Sequence, residues 1–177
     1  TDTSVTTHRV GAGVDADLRF GRQVVALRSS FSQVDFDRVI LKPSTELSVK
    51  ADWNWVVGNR LSGSLNYLTK QELQSQADAS TTDQSKQKQT VTGFSASYQA
   101  HPSFYLDFGL SDATYAFSPD TRKVLDRTER IHSLGWRMPT SAGNYLGMQY
   151  RKTEGDYPNQ SQARPYEQTE YNLNGNW

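Results

Sequence analysis

The chain has 177 residues, no cysteine, and 19 basic against 19 acidic side chains, with a mean hydropathy of −0.73. Disulfides, thiolate metal sites and cysteine nucleophiles are excluded outright, and no apolar run approaches the length a membrane-spanning helix needs. A neutral charge balance also lacks the electrostatic signature of a nucleic-acid binder, so no nucleic-acid partner is expected.

Alternation dominates the chain from its start, and alternation is the signature of strands with one apolar face. From Arg9 to Phe20 the even positions are Val10, Ala12, Val14, Ala16, Leu18 and Phe20, whereas the odd ones are Arg9, Gly11, Gly13, Asp15, Asp17 and Arg19. Gly11-Ala-Gly13 lacks the third glycine and the strand-to-helix setting of a dinucleotide site and reads as strand glycine. A weaker copy follows at Val25-Leu27-Phe31. Between Glu46 and Trp55, the apolar Leu47, Val49, Ala51, Trp53 and Trp55 oppose Glu46, Ser48, Lys50, Asp52 and Asn54. Leu61-Leu65-Tyr67 carries Asn66 on its other face. Phe94, Ala96 and Tyr98 oppose Ser95, Ser97 and Gln99, and Phe104, Leu106, Phe108 and Leu110 oppose Tyr105, Asp107, Gly109 and Ser111. Three more copies lie at Leu134-Trp136-Met138, Leu146-Met148-Tyr150 and Tyr171-Leu173-Trp177. The count is about nine strands, each close to the roughly 9–11 residues of a tilted membrane-spanning strand.

Short links at 21–23, 57–59, 101–103 and 139–144 alternate with long polar links near 33–44, 71–89, 118–129 and 153–165. Short turns on one side and long loops on the other are the loop pattern of an outer-membrane barrel. The polar 71–89 stretch has the composition of a linker, but matching strand patterns on both sides of it make it an external loop within a single domain spanning 1–177.

Period-two alternation also fits a soluble barrel with its apolar face turned inward. The aromatic positions discriminate. Next to the short turns, or at the chain end, the last apolar-face residues are Phe20, Trp55, Tyr98, Trp136 and Trp177, and Phe104 and Tyr145 open the strands after two turns. Rings at one level are what a bilayer interface selects. The opposite face then lines a hydrated lumen, with Asp15, Asp17, Arg19, Glu46, Lys50, Asp52, Asn54, Asn66, Gln99, Tyr105, Asp107, Arg137, Tyr145, Gln149 and Arg151 as its candidate lining residues. The expected fold is an all-β, transmembrane, antiparallel up-and-down β-barrel.

Little in the chain carries chemistry. His8, His101 and His132 show no metal-ligand spacing, so no metal and no cofactor are expected. Ser133 and His132 are sequence neighbours and point to opposite faces of a strand, so they form no nucleophile–base pair. No catalytic residue is identified, and the chain is not expected to be an enzyme.

Three stretches carry a family resemblance: Val57-Gly-Asn-Arg-Leu-Ser-Gly63 after Trp53-Asn-Trp55, Tyr105-Leu-Asp-Phe-Gly-Leu-Ser111, and Leu146-Gly-Met-Gln-Tyr-Arg-Lys-Thr-Glu-Gly-Asp-Tyr-Pro-Asn159. They resemble the outer-membrane β-barrel proteins associated with exosortase-linked exopolysaccharide biosynthesis, from about Arg22 onward. The resemblance implies a Gram-negative outer-membrane protein that helps export a secreted polysaccharide; the partners expected are membrane lipid, lipopolysaccharide, the transported polysaccharide and periplasmic export proteins. It also implies a longer protein with more strands.

The expected function is a passive channel or secretion component for an extracellular polysaccharide. The alternatives are a soluble or periplasmic barrel holding a small apolar ligand, and a structural or adhesive outer-membrane barrel. If the short turns are periplasmic, the Arg9–Phe20 strand begins outside the cell, whereas bacterial barrels have even strand numbers and periplasmic ends. The chain is therefore expected to be truncated at its N-terminus and native at its C-terminus, with an odd number of strands missing upstream. Aqueous channels take about 16–18 strands, so the export reading needs further strands or further copies.

Overall fold

The computed structural model describes residues 6–36, 44–73, 86–118, 120–140, 143–160 and 164–176. Among them nine strands form a single antiparallel sheet in chain order: β1 (Thr7–Phe20), β2 (Gln23–Phe36), β3 (Ser44–Val57), β4 (Leu61–Leu73), β5 (Lys86–His101), β6 (Phe104–Ser118), β7 (Arg127–Pro139), β8 (Tyr145–Asp156) and β9 (Tyr166–Asn176). Each strand pairs with the next, as in an up-and-down meander, with one irregularity of register between Gln99 and His101.

The strands run from 11 residues in β9 to 16 in β5, longer than the alternation alone indicates. The extra length comes out of the expected loops. β4 and β5 take in Gln71–Leu73 and Lys86–Gln89, and β8 continues to Asp156. Between β6 and β7 a 3-10 helix, Asp120–Leu125, occupies much of the link expected to be irregular. Residues 37–43, 74–85 and 161–163, the middles of three long links, lie outside the described residues, as does Trp177.

Two neighbouring short links use backbone that only glycine adopts readily. Gly21 has φ 63° and Gly58 φ 61°, the left-handed region that lets the chain reverse within two or three residues. Arg22 ties two neighbouring turns together by donating to the Gly58 carbonyl and, at 3.2 Å, to Asn59 Oδ1.

Register places the two sets of alternating residues on opposite faces across the whole sheet. Leu18 pairs with Val25, Val25 with Trp53, Trp53 with Leu65, Leu65 with Phe94 and Phe94 with Leu110. The apolar series continues from Leu106 through Trp136 and Met148 to Leu173. Nothing among the described residues covers this face: Val10 is 75% exposed, Leu134 58% and Leu173 75%. Among the described residues the buried apolar side chains are Ala26, Val34 and Ala113. By register all three belong to the polar face. A soluble barrel folded around an apolar interior shows the reverse, so the described part of the chain has no such core.

Phe20, Trp55, Tyr98, Phe104 and Trp136 stand on the apolar face at the short-turn end. Trp55 and Phe94 stack at 6.3 Å and Phe104 and Trp136 at 6.2 Å. Tyr145 does not join them. It pairs with Pro139 and Asn176 on the polar face, because it is odd-numbered in a strand whose apolar residues are even. A tyrosine at a turn satisfies composition in either orientation, and the period assigns the face.

Candidate functional site: the polar face

The expected lining residues share one face. One rung crosses all nine strands as Arg19, Val24, Asn54, Ser64, Ser95, Gly109, Ser133, Arg151 and Glu170. Asp17, Asp52 and Asn66 lie one step toward the long links, and Asp15 and Lys50 one further. Gln149 and Asp107 lie one step toward the turns, with Gln99, Tyr105 and Arg137 just beyond them.

Three regions differ in chemistry. On β1–β3 charges interleave. Lys50 Nζ is 3.2 Å from Asp52 Oδ2, and the Arg28 guanidinium lies 3.9 Å from both Asp17 and Asp52. Nearby, Arg9 donates to Glu46 Oε1 at 3.1 Å, reaching across β2. Along β4–β7 the face is lined by small hydroxyls. Ser64 and Ser95 share a hydrogen bond of 2.8 Å, and with Ser62, Ser97, Ser133 and Gln149 they line a groove of about 680 Å³. Arg137 closes the turn end of that groove by donating to Ser97 Oγ at 3.0 Å, pairing with Asp107 at 3.0 Å, and lying 4.8 Å over the Tyr105 ring.

The third region, near the long links, was not among the sequence candidates. Arg127 lies 4.2 Å over the Tyr115 ring. Its Nε is 3.2 Å from Glu129 Oε1, which also accepts a 3.1 Å hydrogen bond from the Tyr166 hydroxyl. Tyr157 sits 6.2 Å from Tyr166, ring centre to ring centre. Three of these residues fall in the links read as loops, where no alternation signal pointed to them.

Each of these ion pairs keeps at least one partner well exposed, and pairs open to solvent contribute at most about 1 kcal/mol each. The face is a field of balanced, exchangeable polar contacts. Neither His132 nor His101 belongs to it: His132 lies on the apolar side of β7 opposite Leu110 and Lys152, with Ser133 on the other face, and His101 Nδ1 accepts from the Ser103 amide within a turn. Among the described residues no group of three or more His, Asp or Glu could hold a metal ion.

No family model and no curated protein matches the chain. Solved structures do. The chain superposes on the outer membrane channel DcaP of Acinetobacter baumannii with a TM-score of 0.71 at 8% identity, over 98% of this chain and 53% of that one. The fold is that of an outer-membrane β-barrel wall. In-vitro folded OmpT, an outer membrane protein of Vibrio cholerae, matches at 0.61 and 11% identity over 94% of this chain and 54% of that one, and its loop L8 deletion mutant at 0.61 and 12% over 84% and 49%. The chain thus spans about half the length of these barrels. At such identities the likeness speaks for fold alone.

Proposed function

We propose that the chain forms part of the wall of a passive channel in the outer membrane of a Gram-negative bacterium, and that its solute is an extracellular polysaccharide. The observation that carries this reading is the division of the sheet. One face holds an uncovered apolar belt with aromatic rings at its turn end, and the other holds serines, amides and balanced ion pairs beside a groove of about 680 Å³. The first suits lipid, the second a hydrated lumen. Ser, Asn, Gln and Tyr side chains exchange hydrogen bonds with sugar hydroxyls as readily as with water, and a conducting path needs contacts that are weak and repeated. The resemblance to exosortase-associated exopolysaccharide barrels supplies the same substrate class. Arg130 and Lys152, on the apolar side of β7 and β8 near their long-link ends, are cations that could meet lipopolysaccharide phosphates; periplasmic export proteins would meet the short turns.

Reconstitution of the protein into planar bilayers tests the reading. Stepwise conductance that falls when the host's exopolysaccharide is added is the expected result. A folded protein that never conducts would transfer the argument to a structural or adhesive role, for which the hydrogen-bonded link platform around Asn159 is the supporting feature.

A further inference from the structure

The Tyr166 ring occupies a place that only a glycine makes available. Gly155 pairs with Tyr166 across β8 and β9, and a Cβ on Gly155 would run into the ring itself. The tyrosine therefore lies across β8, and its hydroxyl reaches Glu129 on β7, skipping a strand. A ring laid along a sheet presents a face rather than an edge to the space above it. Beside that face stand a carboxylate, Glu129, and a guanidinium, Arg127, whose Nε lies 3.2 Å from Glu129 Oε1. That Nε is buried and makes no hydrogen bond, because its approach to the carboxylate is misaligned.

We propose that Tyr166, Glu129 and Arg127 form a docking site for a single pyranose unit at the long-link end of the polar face. A pyranose has one apolar C–H face and a rim of vicinal hydroxyls. The C–H face packs on an aromatic ring, the carboxylate accepts from two neighbouring hydroxyls, and the guanidinium donates to a hydroxyl or ring oxygen. Tyr157, 6.2 Å from Tyr166 and inclined to it by 46°, forms a side wall. The Glu154-Gly-Asp-Tyr-Pro-Asn159 stretch then has a joint purpose. Gly155 seats the ring, Tyr157 flanks it, and Asn159 holds the link by donating at 2.7 Å to Asp126 and at 3.1 Å to the Lys123 carbonyl. The inference rests on the channel reading only in needing the polar face to be open to solute.

The test is calorimetric titration of the folded protein in detergent with three probes: a neutral glucan hexasaccharide, a uronic-acid hexasaccharide, and the core oligosaccharide released from lipopolysaccharide. Binding of at least one is expected, weakened about tenfold or more by Tyr166→Leu, which fills the space over Gly155 without a ring face, and by about threefold in Tyr166→Phe, which keeps the face and loses one hydrogen bond. Glu129→Gln should weaken it as well, while Val14→Ala, on the opposite, apolar face of β1, should not. The probe that binds tells an exported chain from a lipopolysaccharide sugar. Absence of binding by all three, or binding unchanged in Tyr166→Leu, overturns the site. Conductance of the same preparation, measured separately, shows whether the channel reading falls with it.

Discussion

A single side chain's address on this sheet decides whether it meets lipid or water, because successive residues of a strand point to opposite faces. Phe108 and Ser95 illustrate the consequence. Phe108 is 43% exposed on the apolar face and packs edge-on against Phe94 at 6.3 Å, whereas Ser95 is exposed on the polar face beside Ser64. Arginine placed at Phe108 should cost about 2–4 kcal/mol in folding into lipid vesicles, against less than about 1 kcal/mol at Ser95. Urea titrations of the two variants check this; equal costs would mean that the two faces do not meet different solvents, and a larger cost at Ser95 that they are reversed. Charge follows the same local logic outside the strands. Lys123 hydrogen-bonds Asp120 at 2.8 Å and holds its carboxyl below the ordinary value of 3.8. A depressed carboxylate stabilises the fold above its unfolded value, and that contribution is lost as pH falls through the lowered folded value. In Lys123→Ala the Asp120 carboxyl should titrate at higher pH than in the parent, as read by carbonyl NMR shifts.

Elements differ in how plainly the sequence announces them. β1 is fully legible, since every residue from Val10 to Phe20 obeys the period and its two faces share no residue type. The outer ends of β4 and β5 are not. Gln71 pairs with Lys88 and Glu72 with Gln87, so both faces are polar there and the ladder of backbone hydrogen bonds continues with no hydropathy contrast to reveal it. The same contrast is missing at Arg127 and Glu129 and around Tyr166, which is why the cluster joining β6, β7 and β9 escapes a reading based on alternation. The 3-10 helix depends on a neighbour remote in sequence: Asn159 and Gln160, past β8, bond to Lys123, Asp126 and, at 2.6 Å, to the Val124 carbonyl. Removing the two Asn159 bonds should release the helix, at about 0.5–1.5 kcal/mol per bond. Trypsin reads the effect directly because Arg122 and Lys123 lie in it. Asn159→Ala should be cut there roughly fivefold faster or more; unchanged cleavage would show that the helix stands without the β8–β9 link.

At the scale of the whole sheet the unresolved demand is at its edges. β1 pairs only with β2 and β9 only with β8 among the described residues, so each presents a free row of backbone amides and carbonyls. In hydrocarbon such groups have no water to bond, and each left unpaired costs several kcal/mol. Direct closure is a poor answer. In an antiparallel meander β1 and β9 point the same way, so joining these edges, either within one molecule or between copies related by rotation about the barrel axis, makes a parallel pair. Antiparallel closure instead takes an odd number of further strands between them, and the barrels that this sheet resembles are about twice its length. The chain has no cysteine, so introduced pairs can be read without background. With cysteine at Leu173 on β9 and at Ala12, Ala16 or Phe20 in turn on β1, all on the apolar face, oxidation of the membrane-embedded native protein should yield no β1–β9 disulfide, because an intervening strand would separate the two by more than the roughly 7 Å Cα span that a disulfide tolerates. The positive control is Ala16 with Leu27, directly opposed on β1 and β2. A cross-link at any β1–β9 pair would place the two edges in contact and point to a narrow barrel of these strands alone, in place of the wider lumen that the channel proposal needs.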